Sequence, residues 1–420
     1  MKVLILSSYL EGGAGGAAYR LHQSLRDIGV DSQILAQTKN VYDDTVTVAP
    51  KTMLVRELGW LARGANLDRL PLKLYPNRDR TLFSPQWLPD AIPSKVAQFD
   101  PDVINLHWIC SGFMRIETIP RLNRPLVWTF HDMWAFTGGC HYSEECELYT
   151  VSCGACPRLH SSKNRDLSRW VWRRKAKAWK ELKLTIVTPS SWLAKCARSS
   201  SLFKDARVEV IPYGIDIKKY RPIDRRVARE ILGLPHEKRI ILFGAWNNEY
   251  RKGFHLLLPA LQSLAKAGWH DKMELVVFGF FHPNSQIDVN IKTHYLGKLS
   301  DATSMALVYS AADIFVAPSL YDNLPNTVLE SIACGTPCVA FNAGGMPDMI
   351  EHLQNGYLAQ PYRYKDLAQG ITWVLEDSNR HYRLSRCARE KAEREFTLDL
   401  YAERYRDLFH DIVKNHNSKD

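Results

Sequence analysis

The chain has 420 residues, of which 45% are hydrophobic and 24% charged, and its 55 basic and 45 acidic residues give a formal charge of +10. At about 100 to 200 residues per domain, this length predicts two or three domains and excludes a small disulfide-stabilised scaffold. No apolar run approaches the roughly 18 residues that a membrane-spanning helix needs. The positive charge favours anionic partners such as nucleotides, phospholipid headgroups or nucleic acid, and charge alone does not choose among them.

The chain opens with an apolar run, Met1 to Leu6, which we interpret as a buried first strand because serines and a glycine-rich stretch interrupt it early. Nine cysteines are an odd number, and without an export signal they predict thiols or metal ligands in a reducing compartment. We therefore expect a cytoplasmic protein.

Short β-branched runs alternate with helical stretches along the chain. This alternation is typical of parallel sheets covered by helices on both faces, so we predict two doubly wound α/β domains. The predicted strands are Lys2 to Leu6, Asp102 to Trp108, Leu126 to Phe130, Leu184 to Thr188, Val208 to Ile211, Ile240 to Phe243, Glu274 to Phe278, Asp313 to Ala317 and Cys338 to Phe341.

The boundary between the domains is predicted near Pro212, because a basic, proline-containing stretch separates it from a fresh strand at Arg239. In open parallel sheets, ligands bind beyond the carboxyl ends of the strands. The site is therefore expected among the loops that follow the strands, in a cleft between the domains.

A glycine-rich segment follows the first strand and opens a helix. Its glycines would let backbone amides at a helix N-terminus approach a phosphate; they are Gly12, Gly13, Gly15 and Gly16. Their spacing is not that of a dinucleotide-binding motif, and no acidic residue ends the second strand near Gln33 to Leu35. A tight strand-to-helix turn without a ligand is the alternative interpretation.

The segment 317–337 is the most informative stretch. Asn326 is suited to cap a helix, and two carboxylates, Asp322 and Glu330, flank the start of that helix. The amides at Asn326 and Thr327 would face an anion between them, so one extended polar molecule fits this arrangement. The alternative is a capped helix with an acidic first turn and no ligand.

Asp322 and Glu330, followed by Ala-Cys-Gly-Thr-Pro at 333–337, resemble the acidic-x7-acidic signature of glycosyltransferase family 4, the retaining nucleotide-sugar transferases of the GT-B fold. The resemblance extends over nearly the whole chain. Its other elements are the glycines at 12–16, Pro101-Asp102-Val103-Ile104, Ile211-Pro212-Tyr213-Gly214-Ile215-Asp216, Arg251-Lys252-Gly253, and Gly344-Gly345 with Pro347 and Glu351. It implies an acceptor-side Rossmann-like domain at 1–212, a donor domain at 213–395 facing it across a cleft, and a C-terminal helix and tail at 396–420 that crosses back to the first domain.

The resemblance also implies roles for individual residues. Glu330 would hold the ribose hydroxyls, and Asp322, where the family usually has Glu, would contact the donor sugar. Lys252 with Arg251 would neutralise the departing diphosphate, and an exposed basic pair is the alternative. The family usually has an Arg after a strand-end glycine, but Ala, Trp and two Asn follow Gly244, so Arg251 is taken as its substitute. The donor site would be completed by Leu324, Asn326, Thr327 and Gly244.

His131 follows the predicted strand 126–130 at its carboxyl end, where the family places a histidine near the donor sugar and acceptor. A structural histidine is the alternative. The family's retaining path is front-face, with the leaving phosphate oxygen taking the acceptor's proton, so no protein nucleophile is expected. The single Asp-x-Asp found, Asp100-Pro101-Asp102, precedes its strand, and we expect catalysis without a metal or other cofactor.

Two features lie outside the family core. An insertion at 138–160 carries four cysteines, Cys140, Cys146, Cys153 and Cys156, whose last pair has zinc-knuckle spacing. They predict a structural zinc site, with free thiols or a redox-labile pair as alternatives. The segment 170–180 is basic and rich in tryptophan; a membrane-surface helix is one interpretation, and a core-facing helix striped by Leu167, Val171, Ala178 and Leu182 is the favoured one.

These features together predict a retaining, metal-independent, hexosyltransferase-like enzyme that moves a sugar from a UDP- or GDP-sugar to a saccharide or lipid-linked acceptor in polysaccharide or glycoconjugate synthesis. The alternatives are a nucleotide-sugar epimerase or phosphorylase-like enzyme of the same fold, and a non-catalytic nucleotide- or carbohydrate-binding protein. Nucleic acid is not an expected partner, because the basic residues are dispersed and no recognised binding motif occurs. Any membrane association would be peripheral, at the inner face.

Overall fold

The structure is a computed structural model that describes residues 1–49, 67–245, 249–279, 289–299 and 301–417. The chain divides into two compact units. Unit 1 comprises Met1–Pro212 with Tyr401–Asp420, and unit 2 comprises Tyr213–Leu400.

Unit 1 contains a seven-stranded sheet in the order β3-β2-β1-β4-β5-β6-β7, and all its described pairings are parallel. Its strands are β1 (Lys2–Ser7), β2 (Asp31–Ala36), β3 (Val46–Val48), β4 (Val103–Leu106), β5 (Leu126–Thr129), β6 (Thr185–Thr188) and β7 (Arg207–Val210). Its first helices are α1 (Gly12–Asp27), α2 (Ile92–Phe99), α3 (Leu167–Ala178) and α4 (Ser191–Ser199). Every residue of β4, β5 and β6 is buried, as expected for strands covered on both faces.

An aromatic cluster forms the part of the unit 1 core that underlies the carboxyl end of β5. The ring centroid of Trp128 lies 5.2 Å from that of Phe130 and 5.3 Å from that of Trp179. Phe203 and Trp134 pack on the same indole. Dense packing of large rings restrains the backbone that leads into His131.

Unit 2 contains a six-stranded parallel sheet in the order β10-β9-β8-β11-β12-β13. Its strands are β8 (Arg239–Ala245), β9 (Met273–Gly279), β10 (Thr293–Tyr295), β11 (Ile314–Ala317), β12 (Cys338–Phe341) and β13 (Gly356–Ala359). Its helices are α5 (Arg225–Leu232), α6 (Phe254–Leu264), α7 (Ala302–Ala311), α8 (Asn326–Ala333), α9 (Met346–Met349), α10 (Tyr364–Leu375) and α11 (Ser378–Glu395). The last helix, α12 (Leu398–Asn417), begins in unit 2 and belongs to unit 1 from Tyr401 onward.

Each of the nine predicted strands corresponds to an observed strand, with ends that differ by at most two residues. Sequence patterns missed β3, β10 and β13, which are short, partly exposed and at sheet edges, and so lack the continuous apolar signal of a buried strand. The prediction that the glycine-rich segment opens a helix is confirmed, because α1 begins at Gly12. One local expectation was wrong: Asn326 is the first residue of α8, with Pro325 in the cap position.

Candidate functional site

Asp322 lies in the loop between β11 and α8, where it is buried yet contacts two cations. Its Oδ2 atom is 2.6 Å from Lys252 Nζ and 3.1 Å from Arg251 NH1, and its Oδ1 accepts a 3.0 Å hydrogen bond from the Asn323 N–H. Burial by itself raises the pKa of the Asp322 carboxyl, but Lys252 and Arg251 outweigh it and hold the pKa below its ordinary value. The site therefore contains an ionised carboxylate that orients two cations.

A glycine makes this convergence possible. The 3-10 turn Tyr250–Lys252 ends at Gly253, whose φ is +73°, and a Cβ atom at this position would collide with the Pro318 carbonyl oxygen. The Leu320 N–H also donates to the Arg251 carbonyl at 2.7 Å. Only glycine tolerates both the positive φ and the close approach, so it allows the basic turn to dock against the Asp322 loop.

Glu330, the fifth of the eight residues of α8, is half-buried and accepts a 2.9 Å hydrogen bond from the Tyr309 hydroxyl. Tyr309 belongs to α7, and its buried ring packs edge-on against Phe315 and Phe278. Burial and then the Glu330 charge raise the pKa of Tyr309, so the phenol stays protonated and donates. Tyr309 thus orients the Glu330 carboxylate, a partner that sequence reasoning missed.

The remaining unit 2 candidates surround the same segment. Leu324 is buried, and Asn326 and Thr327 are half-buried in the first turn of α8. Gly244 lies within β8, where a Cβ would collide with the Phe278 ring. Residues 246–248, where the family's usual arginine would stand, lie outside the described residues.

In unit 1, His131 follows β5 and is 8% exposed. Its Nε2 is 2.9 Å from Nδ1 of His107, which follows the neighbouring strand β4. Burial lowers the pKa of His131 to about 4, against the opposing effect of Asp132. The two rings and Asp132 line one small pocket. Sequence reasoning did not single out His107, although its position at the carboxyl end of a predicted strand was a usable signal.

Asp132 connects this pocket to the cysteine-rich insertion. Its Oδ2 accepts from Trp108 Nε1 at 3.0 Å and lies 2.7 Å from His141 Nδ1. The other nitrogen of His141 is 2.9 Å from Ser84 Oγ. The insertion therefore braces the segment that follows β5.

The glycine segment forms the N-terminus of α1. Gly12 has a φ of +73°, and a Cβ at Gly15 would press against the Tyr9 backbone. Added Cβ atoms at Gly12 and Gly13 would meet nothing within 4 Å, and at Gly16 only the tip of Arg20. The start of this helix is thus uncrowded within unit 1.

Two family models match the chain. The model described as Glycosyltransferase Family 4 matches residues 11–219, and the model described as Glycosyl transferases group 1 matches residues 224–391, so together they cover most of the chain. The chain belongs to glycosyltransferase family 4, group 1. The predicted activity, transfer of a sugar from a nucleotide-sugar donor, is confirmed at this level.

The glycosyltransferase is 24% identical, over 81% of its length, to an Escherichia coli K12 protein whose name assigns it to colanic acid biosynthesis as glycosyl transferase WcaC, 83% of which is covered. It is 29% identical to D-inositol 3-phosphate glycosyltransferase of Saccharomonospora viridis, over 47% of this chain and 50% of that relative.

Two solved structures cover the whole chain or nearly so. Sucrose-phosphate synthase from Thermosynechococcus elongatus has a TM-score of 0.72 at 18% identity and covers 99% of this chain and 100% of its own. Anabaena Alr3699/HepE in complex with UDP-glucose has a TM-score of 0.66 at 17% identity, with both chains fully covered. These likenesses concern the fold, and the predicted α/β fold of the GT-B class is confirmed.

The zinc prediction for this glycosyltransferase is not supported. Cys140, Cys146, Cys153 and Cys156 are free thiols that line one pocket. Among the described residues, no group of three or more His, Cys, Asp or Glu side chains is placed to hold a metal ion.

Helix α3 has a core face and a basic face. Leu167 and Val171 are buried in the unit 1 core, as the favoured interpretation predicted. Trp170, Arg173 and Lys177 are exposed along the opposite side. Within the part of the chain that the structure describes, no helix is both long and apolar enough to span a bilayer.

The Asp-x-Asp residues have structural partners. Asp100 pairs with Arg124, and Asp102 accepts a 2.7 Å hydrogen bond from the Lys2 N–H. Both precede β4, at the end of the sheet opposite His107.

Proposed function

We propose that this glycosyltransferase moves a hexosyl group from a UDP- or GDP-sugar to a saccharide or lipid-linked acceptor, with retention at the anomeric carbon and without a catalytic metal. The observation that carries the proposal is the convergence of Lys252, Arg251 and Asp322 in the same unit as a carboxylate, Glu330, oriented by Tyr309. The HepE complex with UDP-glucose favours a UDP-sugar, and the name of the Escherichia coli relative favours polysaccharide synthesis.

In this proposal, each charged group meets the part of the donor that its chemistry suits. Two acceptor oxygens on Glu330 pair with the vicinal hydroxyls of the ribose. Lys252 and Arg251 neutralise the negative charge that develops on the diphosphate as it leaves. In other enzymes a bound divalent cation has this role. Asp322 keeps both cations in place and faces the donor sugar.

Retention follows a front-face path that needs no protein nucleophile. The acceptor oxygen forms its bond to the anomeric carbon on the side from which the phosphate oxygen departs, and the acceptor's proton passes to that phosphate oxygen. Unit 1 supplies His131, which hydrogen-bonds a sugar or acceptor hydroxyl, and the amides at the start of α1, which bind an anionic group.

Titration of a nucleoside diphosphate into matched variants tests the donor assignments. Glu330→Gln should weaken the binding of both the diphosphate and the sugar donor by about 1.5–3 kcal/mol, the range for a hydrogen bond to a charged group. The control is Glu390→Gln, which removes an exposed carboxylate from an ion pair with Arg386 on α11 and should change neither affinity. Equal diphosphate affinity in wild type and Glu330→Gln contradicts the ribose assignment.

Asp322→Asn separates sugar positioning from diphosphate binding. Because the substitution removes a negative charge beside Lys252 and Arg251, diphosphate affinity should stay equal or increase, while turnover should fall about 100-fold as the reacting centre is misplaced. An Asp322→Asn enzyme that turns over like wild type refutes the role of this carboxylate.

The stereochemical and metal proposals have direct measurements. The anomeric configuration of the product, read by proton NMR, should match that of the donor, and excess EDTA should leave the rate unchanged. An inverted product, or a rate that is lost with EDTA and restored by a divalent cation, contradicts them.

We also propose that the exposed face of α3, formed by Trp170, Arg173 and Lys177, binds the inner face of a membrane near a lipid-linked acceptor. Exposed basic residues beside a tryptophan suit an anionic lipid surface. The protein should co-sediment with vesicles that contain phosphatidylserine, and Arg173→Glu with Lys177→Glu should abolish this binding. Equal binding to purely zwitterionic vesicles contradicts the electrostatic basis.

A further inference from the structure

His131 and His107 form a buried imidazole pair at the carboxyl ends of adjacent parallel strands. Their facing nitrogens, His131 Nε2 and His107 Nδ1, are 2.9 Å apart, and the rings are 8% and 2% exposed. One of the two nitrogens must donate and the other accept. The contact between His107 and Asn105 decides which of the two donates.

Asn105 sets the proton arrangement of His107. Its amide NH₂ lies 3.2 Å from the Val127 carbonyl oxygen and 3.1 Å from Thr129 Oγ1. A backbone carbonyl only accepts, so the NH₂ faces Val127 and the amide oxygen faces His107 Nε2, at 2.8 Å. Because that amide oxygen also only accepts, His107 Nε2 carries the hydrogen.

Both rings are neutral near neutral pH. Burial lowers the pKa of His107 well below its ordinary value, and the neighbouring His131 lowers it further. Burial likewise lowers the pKa of His131 to about 4, with Asp132 acting against the shift and Arg20 adding to it. A neutral His107 that carries its hydrogen on Nε2 has a lone pair on Nδ1, so the hydrogen of the shared bond comes from His131.

We propose that His107 is a positioning residue which, held by Asn105, fixes His131 as the tautomer protonated on Nε2. The lone pair of His131 is then on Nδ1, so any group that hydrogen-bonds this nitrogen, whether of the protein or of a ligand, must be a donor. A hydroxyl can donate to this nitrogen, whereas a carboxylate or a phosphate oxygen cannot. The role in transfer rests on the proposed function of His131, but the tautomer does not.

Asp132 and Arg20 are charged neighbours that act on His131. Asp132 is held by His141 and Trp108, and its charge acts on His131 together with that of Arg20. On the far side of Asn105, Thr129 Oγ1 is 2.8 Å from the Tyr405 hydroxyl of α12. Because Thr129 already accepts from Asn105, its own hydrogen is available to Tyr405. Each group in the series therefore donates to the next, starting at His131 and ending at Tyr405.

The first test is the tautomer itself. Long-range ¹H–¹⁵N correlation spectra of protein labelled with ¹⁵N-histidine distinguish protonated from bare ring nitrogens, and loss of signals in His131→Gln and His107→Gln assigns the two rings among the 14 histidines. At pH 7, both rings should be neutral, with hydrogen on Nε2 and none on Nδ1. A His131 ring that carries its hydrogen on Nδ1, or on both nitrogens, overturns the proposal.

The second test separates positioning from structural support. His107→Phe should release the His131 tautomer and lower kcat about tenfold or more with little change in donor KM, because misplaced hydrogen bonding is costly in a positioned reaction. His107→Gln keeps an oxygen that can accept from His131 and should restore most of kcat. An unchanged His131 tautomer in His107→Phe overturns the positioning role.

A control removes another buried histidine from the same unit. His22 lies 2.9 Å from Ser32 Oγ, and His22→Phe should lower stability without altering the His131 spectrum. If wild type shows the expected tautomer but His131→Gln turns over normally, the proposed role of His131 in transfer fails while its positioning stands.

Discussion

Gly253→Ala tests whether the basic turn must dock on the Asp322 loop. The added Cβ would meet the Pro318 carbonyl oxygen at a φ of +73°, a region that costs a non-glycine residue about 1–2 kcal/mol. Relief of the collision requires the two segments to separate. Separation breaks the 2.7 Å hydrogen bond from the Leu320 N–H to the Arg251 carbonyl, which contributes about 0.5–1.5 kcal/mol.

These terms together lower the free energy of unfolding by about 1.5–3.5 kcal/mol, and Tm by roughly 3–14 °C at about 2–4 °C per kcal/mol. Turnover should also fall about 100-fold, because Arg251 and Lys252 move with the turn. The measurements are urea or thermal unfolding and donor consumption.

The matched control is Gly233→Ala, which has a φ of +63° but no atom within 4 Å of the new Cβ. This control separates two general effects of replacing a glycine from the effect of docking. They are the cost of a positive φ at a non-glycine residue and the lower conformational entropy of the unfolded chain. Gly253→Ala should be the less stable of the two and the only one with impaired turnover. Indistinguishable stability and turnover in the two variants would refute the docking argument.

Two further predictions follow from buried groups. Tyr309→Phe removes the hydroxyl that donates to Glu330 and should lower nucleoside diphosphate affinity by about 0.5–1.5 kcal/mol; an unchanged Kd by calorimetry would show that Glu330 needs no orienting partner. Burial lowers the pKa of Lys175 to about 7 from an ordinary value of 10.5, so between these pH values the unfolded chain holds a proton that the native state lacks, and the contribution of this group to stability rises with pH. Because burial also raises the pKa of several cysteine thiols, which acts in the opposite direction, the comparison is with Lys175→Met: wild type should gain stability relative to this variant in urea unfolding at pH 7, 8 and 9, and parallel pH profiles for the two proteins would contradict the burial effect.

Much of the candidate site could be predicted from sequence because its residues lie where local pattern is strong. A buried parallel strand is a continuous apolar run, and a ligand loop follows its carboxyl end, so strand detection also located the segments that carry His131 and Asp322. The helix that carries Glu330 was predicted for the same reason. Only its first residue was misassigned, because Asn326 has a capping side chain but follows Pro325 into the first turn.

The cysteine spacing shows the limit of local pattern. Cys153 and Cys156 match a zinc knuckle in sequence, but metal binding depends on where the Sγ atoms lie and on whether the thiolate is stabilised. The fold brings these thiols to one pocket, yet among the described residues no group of three or more ligands is placed to hold a metal ion. Spacing alone contains no information on either property.

The sequence by itself determined the fold class and the types of chemical group at the site, since apolar periodicity and the choice of side chain are local properties. The partners of those groups were decided only by tertiary structure. Tyr309 is 21 residues from Glu330, His107 is 24 from His131, and Lys252 is 70 from Asp322. Contacts across such separations depend on which strands become neighbours and on how closely two backbones can approach, as at Gly253, and no local pattern encodes them.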